Sequence, residues 1–146
     1  MRALVEPSPR PGSELPRSGR NRHVPFTAHL GIRVDSAQDG EARVSMDLAP
    51  HLLNNHGAGH GGVLMTLLDI AMANAALSKI DYAREVVTVD MHVGFMAATS
   101  GSLVSIGRAS GGGRSICFCE AYVEDGEGRR VAQAMGTFRY RDPESK

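Results

Sequence analysis

The chain has 146 residues, enough for one hydrophobic core and short for two. Apolar residues make up 42 % and charged residues 22 %, the balance of an ordinary globular protein. The formal net charge is zero and there is no Trp, so composition points neither to a nucleic-acid surface nor to an anionic membrane.

Residues 1–22 are rich in Pro, Arg and Ser and nearly devoid of large apolar side chains, which predicts a flexible tail. They contain no apolar segment of the secretory type. Pro7, Pro9, Pro11 and Pro16, with Glu6 and Glu14, also argue against an amphipathic transit helix. The domain proper is expected from residue 23 to 146. "VPFTAHLG" (24–31) reads as one helical turn with Phe26 and Leu30 on one face, ended by Gly31. Residues 32–37 and 41–48 read as strands around the turn "QDG", and the second alternates Ala42, Val44, Met46 and Leu48 against polar neighbours.

After a loop over 49–60 the pattern changes to "GGVLMTLLDIAMANAALSKI". Apolar residues occupy nearly every angle of this helix, with Thr66, Asp69, Asn74 and Ser78 as exceptions, so a central, buried helix roughly 27–30 Å long is predicted. Strands follow over 84–96, 102–110, 114–125 and 129–141. In the first of these, Val87, Val89, Met91, Val93 and Phe95 alternate with Thr88, Asp90 and His92, which assigns Thr88 to the polar face. Short connections predict antiparallel neighbours. One apolar helix and six strands give an α+β fold, with a curved antiparallel sheet wrapped around the helix.

Cys117 and Cys119 are two apart, too close for an ordinary bridge on a strand, which suggests reduced thiols and a cytoplasmic protein. No uninterrupted run of 18 apolar residues is present, and no membrane span is expected.

The stretch "NNHGAGHGGVLMTLLD" (54–69) concentrates the chemistry. His56 and His60 have the spacing of helical metal ligands, but the glycines between and beside them place the pair in a loop, so no metal is expected. Gly61 and Gly62 open the helix, where N–H groups lack intrahelical partners and the dipole favours negative charge. They bare an oxyanion site, or they merely let the helix start against a neighbour. Asp69 lies two turns in, where a lone carboxylate needs a partner, a raised pKa or a solvent-facing position.

The ordered set Asn54-x-x-Gly57-x-x-His60-Gly61-Gly62, Asp69 in the helix, "VVTVDMHVGFM" (86–96) and a final strand with "GTF" (136–138) resembles the PaaI-type acyl-CoA thioesterases of hot-dog fold. The resemblance covers about residues 26–140. It implies hydrolysis of an acyl-CoA thioester to free acid and CoA, with no cofactor apart from the CoA of the substrate. By that likeness Gly61 N–H would hold the thioester oxygen and Asp69 would act as nucleophile or general base. Asn54 and Thr88 would orient the water, Thr88 standing near the acid of a neighbouring subunit. His60 and Gly62 would line the substrate, and His60 would have no acid–base role. Arg114, in "GGGRS", would reach the CoA phosphates or else simply cap an exposed hairpin. The family likeness also implies a homo-oligomer, dimer or dimer-of-dimers tetramer, with sites at the subunit interface. "GFMAATSG" departs from the family pattern after the "VDM" strand, which leaves the acyl group open. Two other functions fit such a fold: a hydratase or dehydratase using a His with an acid, and a non-catalytic acyl-CoA-binding protein.

Overall fold

Gly61–Lys79 forms the single long helix among the described residues, and the other elements are arranged around it. The structure, a computed structural model, describes residues 23–143. The expected tail over 1–22 lies outside the described residues. In chain order the elements are α1 (Pro25–His29), β1 (Arg33–Gln38), β2 (Glu41–Asp47), a 3-10 turn (Pro50–Leu52), α2 (Gly61–Lys79), β3 (Glu85–Phe95), β4 (Ser102–Gly112), β5 (Ile116–Glu124) and β6 (Arg130–Arg141). The six strands make one antiparallel sheet in the order β1-β2-β4-β5-β6-β3. This is the hot-dog fold, the sheet curved round α2.

Alternation within each strand selects the inner face. Val44 and Met46 of β2, Leu103 of β4, Val123 of β5 and Phe138 of β6 are fully buried against Leu67, Leu68 and Met72 of α2. By length and composition α2 could cross a membrane, yet here it is a core helix wrapped by its own sheet. β4 passes so close to α2 that a Cβ on Gly107 would run into the Ala71 carbonyl oxygen. Two polar contacts fix the helix from other sides. Tyr140 Oη of β6 donates to the Ala76 carbonyl at 2.7 Å, and Ser78 Oγ accepts from Gly40 N in the β1–β2 turn at 3.0 Å. Cys117 and Cys119 both point inward, as expected for i, i+2 on a strand, with their sulfurs 3.7 Å apart and unbridged.

Three expectations need correcting. First, β3 and β4 are consecutive in sequence but not neighbours. β3 lies beyond β6 at the sheet edge, and β4 pairs with β2. Three inter-strand steps span about 14 Å. The six-residue connection over 96–101 can stretch to about 20 Å, so it can cross. On its way it ties down the segment before α2: Thr99 O accepts from Gly59 N at 2.8 Å and Gly101 O from Leu48 N at 2.9 Å.

Second, α2 is not enclosed on every side. A stripe at helical spacing, Met65, Thr66, Asp69, Ile70, Ala73 and Asn74, stays half-buried or exposed, because the sheet covers only the opposite stripe. Third, Leu30 is 7 % exposed whereas Phe26, one turn earlier, is 59 % exposed. A five-residue helix at the margin of the sheet reaches the core only at its C-terminal end.

Candidate active site

Thr88 is where the sequence period misleads. Strict alternation would put it outward with Asp90 and His92. The pairing of β3 with β6 instead slips by one residue between Thr88 and Asp90: Thr88 faces Phe138, Asp90 faces Thr137, and Val89 is the extra residue of a β-bulge. Upstream of the bulge Thr88 therefore shares the inner side with buried Phe138. Downstream, Met91 faces Gly136 on that same side. The bulge points the Thr88 hydroxyl at α2, where it donates to Asp69 Oδ1 at 2.7 Å. This corrects the expectation that Thr88 serves the acid of a neighbouring subunit, since its partner is Asp69 of its own chain.

Asp69 sits on the uncovered stripe of α2. Burial pushes its carboxyl above the ordinary carboxylate range, and the Thr88 hydrogen bond pulls it partly back. Oδ1 is taken by Thr88, so Oδ2 is left for a further partner.

The other end of α2 holds the donors. His60 is the N-cap, and its Nδ1 accepts from Gly62 N at 2.9 Å. The neutral ring then carries its proton on Nε2. That bond uses the Gly62 amide, so Gly62 bares the helix end without offering its own N–H. Gly61 N–H has no acceptor among the described residues. A Cβ on Gly61 would rest 3.5 Å from two Phe95 ring carbons, an ordinary contact, so the glycine is not demanded by packing. Asn54 lies in the loop leading to this helix end. Its Oδ1 accepts from His56 N at 2.9 Å and Ala58 N at 3.1 Å, which builds the turn. Its Nδ2 donors make no hydrogen bond among the described residues. His56 is exposed on the same turn.

Comparison with known proteins places the chain in a family. The family profile of the thioesterase superfamily matches residues 56–132, more than half of the chain, from the loop before α2 to the start of β6. The chain belongs to the thioesterase superfamily. A protein of Halobacterium salinarum named as a candidate esterase is 32 % identical over 126 residues, covering 77 % of this chain and 83 % of the relative. Among solved structures, a conserved protein of Pseudomonas aeruginosa is 31 % identical with a TM-score of 0.78, over 82 % of this chain and 95 % of that one. Escherichia coli PaaI, from the phenylacetic acid degradation operon, shares the fold with a TM-score of 0.79 at 22 % identity, over 86 % and 91 % of the two chains. The PaaI-type resemblance read from the sequence thus has a counterpart in both family and fold, and as a thioesterase-superfamily member the protein is a hydrolase.

In this thioesterase-superfamily chain the acid and the orphan amide stand apart. Gly61 and Asp69 are eight residues apart on one helix. At 1.5 Å per residue that is about 12 Å. A thioester carbonyl needs its oxygen within about 3 Å of the donor and its carbon about 3 to 3.5 Å from the attacking atom. A carboxylate of the same chain that attacks directly falls short of a carbonyl held at Gly61. Arg114 is further still from Gly61. It is exposed in the β4–β5 turn, and the neighbouring Ser115 O accepts from Tyr140 N, near the strand end that Tyr140 ties to Ala76 in the last turns of α2. It makes no ion pair among the described residues. The structure therefore brings together Asp69 with Thr88 at mid-helix, and Gly61, Gly62, His60 and Asn54 at the helix N-terminus, and it separates the two groups. The Val89 bulge is the determinant that sequence reasoning missed. Its only trace is a period of two that continues, unbroken in type, through a register shift.

Proposed function

We propose that the protein hydrolyses acyl-CoA thioesters to the free acid and CoA, in a site that two copies complete. The carrying observation is the separation of Asp69 from the unpaired Gly61 amide. Two features support an assembly that closes the gap. β3 is an 11-residue edge strand with Val87, Val89 and Phe95 exposed, a long apolar edge that invites pairing with another strand. The uncovered stripe of α2, Met65 to Asn74, lies beside that edge and calls for an apolar cover. A two-fold axis at β3 extends the sheet across two subunits and sets their α2 helices side by side and antiparallel. Asp69 then lies towards Gly61 of the partner subunit.

In that site the thioester oxygen accepts from Gly61 N–H of the partner subunit, at the positive end of a helix dipole. Thr88 orients the Asp69 carboxylate through Oδ1. Oδ2 takes a proton from the attacking water, or attacks the carbonyl carbon itself to give a mixed anhydride; either route expels the CoA thiolate, and in the second a water then opens the anhydride to release the acid and restore Asp69. Asn54 Nδ2 of the partner subunit is a free donor for the water or the oxyanion. Arg114, exposed and unpaired among the described residues, suits a CoA phosphate. The engagement of His60 Nδ1 by Gly62 N speaks for thioester hydrolysis over a hydratase in which His acts as base. No cofactor or metal is needed, and the two unbridged thiols suit a cytoplasmic protein.

The test is thiol release over a panel of CoA thioesters, with Asp69→Asn beside the wild type. Wild type should yield CoA and free acid on at least one substrate. The variant should be slower by roughly 100-fold or more. Failure of the wild type on every thioester, or an unchanged rate in the variant, would refute the proposal.

A further inference from the structure

Just beyond α2 the chain turns through two left-handed residues that are not glycine, Asp81 at φ 50° and Tyr82 at φ 57°. A residue with a Cβ is strained there. The helix end does not require a tyrosine for this turn. Ile80 N and Tyr82 N both donate to Leu77 O, at 3.1 and 2.9 Å, and a glycine in place of Tyr82 would make the same bond without strain. What the tyrosine adds is its ring. The ring packs against Ala37 of β1, Ala42 of β2 and Ala75 of α2, and its hydroxyl donates to Asn74 Oδ1 at 2.9 Å. Burial pushes the pKa of that hydroxyl up to about 12, so it stays a donor at neutral pH. Asn74 is held in turn, its Nδ2 donating to the Ile70 carbonyl at 2.9 Å.

Asn74 shares the bare stripe of α2 with Asp69. Two rows of i, i+4 neighbours make up that stripe, Met65, Asp69 and Ala73 in one, Thr66, Ile70 and Asn74 in the other. Thr88 bounds the first row at Asp69, and Tyr82 bounds the second at Asn74. Helical side chains lean towards the N-terminus, so the surface just C-terminal to Asp69 is the one residue 73 would cover, and residue 73 is alanine. On the N-terminal side stands Met65, a long side chain 40 % exposed. Leu77, next after Ala73 in the first row, is only 6 % exposed, so the bare surface ends there. A slot about one helical turn long, roughly 5 Å, therefore opens beside Asp69 towards Ala73 and stops at Leu77 and Tyr82. We propose that this slot takes the acyl group of the thioester and that the Tyr82 ring is its end wall, so that the substrates carry a single aromatic ring or a short chain and not a long fatty chain. This rests on the thioesterase reading above, which puts the reacting carbonyl at Asp69. The strained turn then has a use. A glycine would end the helix equally well and leave the slot open, whereas the tyrosine closes it with a ring braced on β1 and β2. The hydroxyl proton of Tyr82 is engaged by Asn74, so an apolar acyl group meets the ring and no unpaired Tyr82 donor.

Thiol release from acetyl-, hexanoyl-, benzoyl- and lauroyl-CoA by the full chain tests this, together with calorimetric binding of the same thioesters to Asp69→Asn, which reads the slot without turnover. Wild type should favour hexanoyl- and benzoyl-CoA over lauroyl-CoA by roughly 100-fold or more in kcat/KM, since each methylene without room costs about tenfold or more. Tyr82→Gly keeps the left-handed turn and removes the wall, and should raise lauroyl-CoA relative to hexanoyl-CoA by about tenfold or more. Tyr82→Phe keeps the ring and should keep the wild-type order. Ala73→Leu, at a half-exposed helix position that tolerates leucine, fills the slot and should make acetyl-CoA the best of the four. Asp69-dependent hydrolysis that is indifferent to acyl length, or an unchanged order in Tyr82→Gly and Ala73→Leu, would overturn the inference and leave the hydrolysis standing. No turnover at all, with Asp69→Asn still binding hexanoyl-CoA ahead of lauroyl-CoA, would remove the hydrolysis and uphold the slot. No turnover and no such order in binding would overturn both.

Discussion

At the scale of single residues, the carboxylate of Asp69 is held between two opposing influences, burial and the hydroxyl of Thr88. An acid that attacks or takes a proton must be ionised, so its pKa sets the acid limb of the pH–rate profile. Removing the hydroxyl leaves burial unopposed and raises that pKa further. Thr88→Val should therefore move the acid limb of kcat/KM to higher pH and lower the plateau by roughly tenfold, about the worth of one hydrogen bond to a charged group. Thr88→Ser keeps the donor and should restore both, whereas a purely structural role for Thr88 would leave the limb in place. The same shift bears on stability. The native state holds the Asp69 proton more tightly than the unfolded chain does, so stability falls as pH rises from the ordinary carboxylate range through the raised pKa. At pH 7 the ionised side chain is a cost. Asp69→Asn should then abolish most hydrolysis without lowering the thermal midpoint at pH 7, and its stability should vary less with pH between 4 and 7. Calorimetry of the two proteins at both pH values checks the sign.

Among elements, the closest approach is between β4 and α2 at Gly107. A methyl group there meets the Ala71 carbonyl oxygen and, at 2.9 Å, Met72 N. Both are backbone atoms inside a helix and cannot swing aside. Gly107→Ala should cost about 1–3 kcal/mol or more in urea unfolding, as overpacked core positions do. Gly61→Ala offers the contrast, because its methyl group would make only ordinary contact with Phe95. It should fold with a near-wild-type midpoint and still lose hydrolysis, since the methyl group stands where a carbonyl would approach the amide. The elements themselves were readable in the chain: α2 and all six strands begin and end within two residues of expectation. Two relations between them were not. Period two continues through the Val89 bulge because a strand sequence records alternation of residue type, while a bulge is decided by the pairing of two strands. The β3–β4 connection is short in sequence, yet it crosses the end of the sheet because curvature around α2 keeps the two strand ends within its reach.

For the whole molecule, the 12 Å between Gly61 and Asp69 makes a prediction that a single-chain site cannot share. Gly61→Ala and Asp69→Asn chains should each be inactive alone. In a mixed dimer, one of the two sites has Asp69 from the first chain and Gly61 from the second, both intact. Co-expression in equal amounts should give about half mixed dimers with one working site each, hence about a quarter of wild-type thiol release. No recovery in purified mixed dimers would place both groups in one chain and remove the shared site.

Hydrophobic period was sufficient, from the sequence alone, for one apolar helix and six strands in an α+β fold, while the hot-dog fold and the thioesterase-like constellation were read from the likeness of the ordered motifs around the α2 glycines and Asp69 to a known family. These are local features: each depends on residue type at a fixed spacing along one element. Which face Thr88 occupies, that it meets Asp69 of its own chain, that His60 takes up the Gly62 amide and leaves Gly61 free, and that one stripe of α2 lies bare were decided only in three dimensions. Each of these depends on strand register or on how far a curved sheet can wrap one helix, and no spacing along the chain encodes either.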